Sequence, residues 1–218
     1  MADELRSGYH RQLEEIDGAL SRMILLVEEA ISAASAALLA ADDQAAEAVA
    51  LRREQIKELH RTLESLVFTQ LVRQAPVAGE LRFLIAVLRI VPELELTAAL
   101  AGHIARRGTM HIGVELSPRI RGLVGRLFEH DLDMWRQASV AYHERSPEVL
   151  ERLEAEDEEI DELHAGLSAE LASGVLRAPV LVEMALIARF LERIADHAVE
   201  IARWIESFSS TEVRLADE

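Results

Sequence analysis

Two carboxylate pairs have the spacing of an oxygen-lined metal site. Asp157 and Asp161 lie four residues apart in one segment, and Glu192 and Asp196 four apart in another. On a helix, side chains at that spacing stand one above the other. If the two segments form antiparallel helices, four carboxylates face each other across one groove. That donor set suits a hard cation: Mg²⁺, Ca²⁺, Mn²⁺ or iron. Without a cation, mutual repulsion would raise some of their pKa values. The competing reading is a solvated acidic face cross-paired with Arg152, Arg189 and Arg193.

Other chemistry is poorly provided for. There is no glycine-rich phosphate loop and no G-x-S-x-G nucleophile motif. The eight histidines are scattered. A four-helix di-iron oxidase needs Glu-x-x-His on each of two helices; the nearest approach is Asp161-x-x-His164, and His164 and His197 read as structural. No general base or open two-metal arrangement supports a hydrolase, so no catalytic residue and no enzyme activity are expected.

The elements that must position these acids are helices. Ala, Leu, Glu and Arg dominate, and aromatics make up 4 % of the chain, which favours an all-α fold. Leu191, Ile194, Ala198 and Ile201 form an apolar stripe alongside the acids of the last helix. A first helix is expected from about residue 2 to 40, on Leu13, Ile16, Leu20, Ile24, Val27, Ile31, Ala34 and Leu38. Asp42 and Asp43 signal a turn and cap, and a second helix runs to about residue 74. A third runs from about 80 to 107, carrying Pro92 inside it as a kink and ending at Gly108. Residues 109–116 read as a linker. Ser117-Pro118 and Ser146-Pro147 each read as a cap followed by a first helical residue, opening helices to about 142 and 173. In the first of these, Asp131 falls among apolar positions and reads as a salt-bridged or rim residue. Pro179 opens a sixth helix ending near Phe208, with a polar, frayed tail beyond.

Six helices thus divide into an N-terminal three-helix bundle (1–108) and a C-terminal one (109–218). The halves read as repeats. Glu54–His60 matches Glu158–His164, and Ala101–Arg106 echoes Ala198–Arg203. The repeat is degenerate where it matters: Arg53 and Lys57 stand where the second half has Asp157 and Asp161. Glu192 is kept as Glu95, but Arg193 becomes Leu96 and Asp196 becomes Ala99. Two cations and one Glu do not make a carboxylate metal site, so only the second half is expected to bind a cation. Arg53 or Lys57 is expected to pair with Glu95 in its place.

Charge narrows the partners. The net charge is −16. Residues 1–108 hold 12 Lys+Arg against 16 Asp+Glu, and residues 109–218 hold 11 against 23. Such a surface repels nucleic acid and anionic membrane. There is no cysteine, hence no disulfide or zinc-thiolate site. No apolar run approaches the ~20 residues that span a bilayer, and the N-terminus lacks a secretory pattern. A cytoplasmic protein is expected.

Several motifs together resemble the PhoU family, regulators of the phosphate-specific transport system. Leu191–Ala198, preceded by Ile187-Ala188-Arg189, resembles its signature. Asp157-x-x-Glu-Ile-Asp161 resembles its other acidic motif. Pro76-Val-Ala-Gly-Glu-Leu-Arg82 resembles its Pro-x-x-x-Asp-Leu-Arg segment, with Glu80 for the usual Asp. Tyr9-His-Arg-Gln-Leu13 resembles its opening helix. The resemblance implies two three-helix bundles related by a pseudo-twofold axis. It implies a negative regulator of phosphate uptake and the phosphate-starvation response, bridging the phosphate transporter ATPase and a sensor histidine kinase, often as a homodimer. Arg189, Arg193, Glu80 and Arg82 are the candidate partner-binding residues. Some members bind metal clusters on their acidic motifs, which keeps metal sensing or storage open as the alternative function.

Overall fold

In the computed structural model, backbone is described for residues 2–74, 76, 78–144, 149–174 and 176–215. Side chains are described within these from Tyr9 onward, apart from residues 74, 157–159 and 210–215. The described residues form six α-helices and one short 3₁₀ turn: α1 (Ala2–Leu39), α2 (Asp43–Gln74), α3 (Ala78–Gly108), the 3₁₀ turn Ile112–Glu115, α4 (Pro118–Glu144), α5 (Val149–Ala172) and α6 (Ala178–Leu215). None is long and apolar enough to cross a membrane.

The start signals work as the sequence implies. Asp42 Oδ1 accepts from Ala45 N–H at 3.0 Å, and Ser117 Oγ accepts from Ile120 N–H at 3.2 Å, each satisfying an otherwise orphaned helix donor. Ser146-Pro147 lies outside the described residues. Pro92 sits inside an unbroken α3. The periodic apolar positions are the buried ones. In α1, Ile16, Leu20, Ile24, Val27, Ile31, Ala34 and Leu38 are all essentially inaccessible.

Two sequence expectations need correction, one of them in part, and the linker gains a short turn. The sixth helix does not stop near Phe208 but continues to Leu215. Phe208 and Ser209 are buried, with Phe208 edge-on to both Phe83 and Tyr142, so packing carries the helix past the point where the sequence turns polar. The linker is partly ordered as the 3₁₀ turn. Asp131 is fully buried, so of its two expected settings, salt-bridged or rim, only the rim fails; its place in the apolar phase of α4 takes it inward with Leu127 and Trp135.

Helices α1, α2 and α3 pack mutually, and so do α4, α5 and α6. The two bundles meet through equivalent helices, α3 against α6 and α1 against α4, as a pseudo-twofold axis requires. The α3–α6 seam is antiparallel along its whole length. Phe83 meets Phe208, Arg89 lies over Trp204, Thr97 bonds His197, and His103 stacks on Phe190. Along α1–α4, the Tyr142 hydroxyl donates to Asp17 at 2.6 Å, Arg136 pairs with Glu28, and Arg121 donates to the Leu39 carbonyl at the end of α1 and to the Gly113 carbonyl. A Cβ at Gly113 would collide with the Leu38 carbonyl oxygen, so the turn between bundles needs glycine there to approach α1.

The seam is closed at one end by Arg107, which is buried. Its Nε donates to Glu183 at 2.6 Å, its Nη1 donates to the His103 carbonyl at 2.9 Å, and its guanidinium lies 5.0 Å above the Phe190 ring. Removing one member of such a pair strands the other. Glu183 keeps some solvent contact, its side chain being 27 % exposed, which softens the penalty. Arg107→Ala is therefore expected to cost about 2 kcal/mol. A double-mutant cycle with Glu183→Ala in urea unfolding checks this. If the two losses simply add, the pair contributes no coupling.

Candidate functional site

The acidic groove lies between α5 and α6. These helices pack together and run antiparallel, since Glu154 meets Arg203 at 3.0 Å while Asp161 and His164 lie opposite Asp196 and Glu192. Three of the four sequence-predicted carboxylates are thereby brought onto one groove: Asp161, Glu192 and Asp196. The fourth, Asp157, is on α5 one turn before Asp161, and its side chain lies outside the described ones.

The electrostatics show how these groups feel each other. Asp196 is pushed above the ordinary aspartate range, first by burial and then by the Glu192 and Asp161 charges, with Arg189 and Arg193 opposing. His164 is pushed down, because burial outweighs the pull of Glu192, Asp161 and Asp196. Its Nε2 is buried and has no hydrogen-bond partner among the described residues. Glu192 is held by Arg189 one turn earlier on the same helix. Among the described residues, no three His, Asp or Glu side chains stand close enough to enclose a metal ion. The groove is thus an open array of acids with a neutral imidazole beside it, partly neutralised by Arg189, which bonds Glu192, and by the charge of Arg193.

The equivalent place in the N-terminal half differs from the expectation. Neither Arg53 nor Lys57 reaches Glu95. Lys57 pairs with Glu54 at 2.7 Å, one turn back on its own helix. Arg53 lies across Gly102, where an added Cβ would stand 2.5 Å from Arg53 Cδ. Glu95 is taken by His60, whose Nδ1 bonds its Oε2. The antiparallel register of α2 and α3 decides this: Arg53 stands opposite Gly102, so Glu95, seven residues earlier on α3, faces His60. His60 and Glu95 are the repeat equivalents of His164 and Glu192. The same histidine–glutamate couple closes on itself in one half and is apart in the other.

The candidate partner residues do not share one patch. The Tyr9 hydroxyl donates to Glu80 at 2.9 Å, tying α1 to the start of α3, and Tyr9 is raised far above the usual phenol range by burial and this carboxylate. Arg82 is half-buried, its Nε without a hydrogen bond among the described residues. Arg189 and Arg193 are exposed on α6. Since Phe83 packs on Phe208, Glu80 and Arg82 sit near the far end of α6, nineteen residues from Arg189, or about 28 Å along the helix.

Sequence reading missed four features. The His60–Glu95 couple and the orphaned His164 nitrogen were signalled only by the repeated Glu-Leu-His. The other two are the Thr97–His197 bond buried in the seam and the Trp135 indole, which donates to the Ile194 carbonyl at 3.1 Å. These depend on how helices meet, across the seam for Thr97–His197 and within the C-terminal bundle for Trp135, which helix periodicity does not carry.

Comparison with known proteins agrees with this architecture. The family model for the PhoU domain matches twice, over residues 20–108 and 124–205. The chain is 35 % identical over 208 residues to phosphate-specific transport system accessory protein PhoU homolog 1 of Mycobacterium leprae, covering 91 % of both chains. It is 31 % identical to the PhoU homolog of Synechocystis, covering 91 % of this chain and 89 % of that one. Among solved structures, PhoU from Pseudomonas aeruginosa superposes with a TM-score of 0.86 at 26 % identity, over 93 % of this chain and 99 % of that one. The double match, the shared helical arrangement and the full-length relatives together place this chain in the PhoU family.

Proposed function

We propose that this protein is a non-catalytic negative regulator of phosphate uptake and of the phosphate-starvation response, acting in the cytoplasm as an adaptor between the phosphate transporter ATPase and a sensor histidine kinase. The observation that carries this reading is the end-to-end likeness to phosphate-specific transport system accessory proteins, over both bundles. A protein of long helices offers extended faces for helix-on-helix docking. Arg189 and Arg193 on α6, and Glu80 with Arg82 at the start of α3, form two separate contact regions, one for each end of such a bridge. Two-fold self-association is the usual form for a soluble oligomer, and we expect a homodimer. Deletion of the gene should leave a phosphate-repressed reporter on in phosphate-rich medium, and the intact chain should restore repression. Normal repression in the deletion strain would end the proposal.

A second reading concerns cation binding, and one observation favours it: the buried His164 nitrogen, without a hydrogen-bond partner among the described residues, beside Asp161, Glu192 and Asp196. Hard oxygens with one imidazole suit iron or manganese better than Mg²⁺. Asp157, Asp161, Glu192 and Asp196 would hold the ion, which would neutralise the array and hold Asp196 ionised. Arg189 would have to release Glu192. Elemental analysis of natively purified protein and titration with Mn²⁺ test this. The double variant Asp161→Ala, Asp196→Ala should bind at least about tenfold more weakly. Equal binding by parent and variant would place the ion elsewhere.

A further inference from the structure

The cleft between the start of α2 and the end of α3 has a volume of about 510 Å³, within the range of small-molecule sites. Arg53, Gly102 and Arg106 line one part of it, and Asp43 and Glu47 line the end toward the start of α2. The repeat shows what has changed here. In the C-terminal half, Arg203 is neutralised twice, by Glu154 at 3.0 Å and Glu200 at 3.4 Å. Its N-terminal equivalent is Arg106. By the offsets of the two matched segments, the places of Glu154 and Glu200 are taken by Ala50 and His103, and that of Asp157 by Arg53. The same arginine is kept, both of its acceptors are gone, and a second guanidinium has been added.

Among the described residues, no hydrogen bond or ion pair engages the guanidinium of Arg53 or Arg106, and neither Asp43 nor Glu47 is paired with them; Arg106 is engaged only through its backbone, its carbonyl accepting from the Thr109 hydroxyl at 2.8 Å. Gly102 leaves the space in which Arg53 lies against α3; a Cβ there would displace the flexible end of the Arg53 side chain. The lining as a whole is balanced, two guanidiniums against the Asp43 and Glu47 carboxylates, but the part formed by Arg53 and Arg106 is positive within a strongly acidic chain. His103 beside it is pushed below the ordinary histidine range by burial and then by Arg53, Arg106 and Arg107.

We propose that this cleft binds a small tetrahedral oxyanion of the phosphate class, with Arg53 and Arg106 as its donors. Two planar guanidinium groups on adjoining helices can each give paired N–H bonds to such an ion, which a lysine could not match. Asp43 and Glu47 line the end toward the start of α2 and oppose larger polyanions that would reach them. The proposal is independent of the adaptor reading: a failed titration here leaves the deletion phenotype untouched.

The test is calorimetric titration of the full chain with sodium phosphate, sodium sulfate and AMP at fixed ionic strength. Saturable phosphate binding is expected, weakened about tenfold or more by Arg53→Met or Arg106→Met, each losing charge-assisted hydrogen bonds. Arg203→Met, at the equivalent position of the other half, should bind phosphate as the parent does. Circular dichroism confirms that each variant keeps its helices. AMP binding that depends on both arginines would support an organic phosphate as the source, and binding of the free ions without AMP would support the ion itself. The proposal is overturned if neither phosphate, sulfate nor AMP binds, if both variants bind like the parent, or if Arg203→Met loses as much as they do.

Discussion

Replacing Trp135 by Ala is expected to lower stability by about 4 kcal/mol, in the range for emptying a fully buried indole. Trp135 has no exposed surface, and its ring fills the space between α4 and α6. Its N–H donates to the Ile194 carbonyl at 3.1 Å. That carbonyl lies midway between Glu192 and Asp196, so the indole also fixes the rotation of α6 that presents those acids to α5. In a chain of this size the loss corresponds to a fall of roughly 8–16 °C in the unfolding midpoint. Trp135→Phe keeps most of the volume and loses the hydrogen bond, and should cost about 1 kcal/mol. Urea unfolding followed by circular dichroism measures both, since removing the indole changes the fluorescence itself. A loss below about 1 kcal/mol for the alanine variant would mean that the site collapses freely and that Trp135 does not set the helix position.

How far the sequence carried can be judged from Trp135 and its neighbours. The helix stripes were legible because burial at spacings of three and four leaves a repeating apolar signal: Leu191, Ile194, Ala198 and Ile201 are all buried as expected. The caps at Asp42 and Ser117 were legible because capping is local chemistry. The acidic groove was half legible. Spacing places Asp161, Glu192 and Asp196 on faces that can meet, and antiparallel packing of α5 on α6 brings them together. Which group satisfies each acid was not legible, because it depends on register between helices. Glu95 finds His60 and leaves Lys57 to Glu54, a difference of three residues along α2 that no single-helix pattern encodes. The extension of α6 past Phe208 was hidden for the same reason. A polar stretch ends a helix when solvent surrounds it, but here Phe83 and Tyr142 hold that turn from outside the segment.

Acidification should destabilise the seam between the two bundles through His197. This imidazole is buried and faces α3. The Thr97 hydroxyl donates to the Glu93 carbonyl at 2.9 Å, so it accepts from His197 Nδ1 at 2.7 Å, leaving Nε2 unprotonated and 3.6 Å from the Glu93 carboxylate. Burial, aided by the Arg193 charge, lowers the His197 pKa from 6.5 to about 4. The folded state therefore resists a proton that the unfolded chain accepts. The stability due to the neutral ring is complete above pH 6.5 and is lost as pH falls toward 4, about 3 kcal/mol in all. Glu93 acts in the opposite sense. Its pKa is raised by burial and by Glu200, so its protonation favours the folded state at low pH and masks part of the fall. The variant His197→Asn separates the two, since an asparagine amide can still donate to Thr97 but does not titrate. Unfolding free energy measured in urea from pH 7.5 to 4.5 should drop more steeply for the parent than for the variant, and the two curves should converge as pH falls. Parallel curves would show that His197 takes up its proton as easily folded as unfolded, and that the seam is held by its apolar contacts alone.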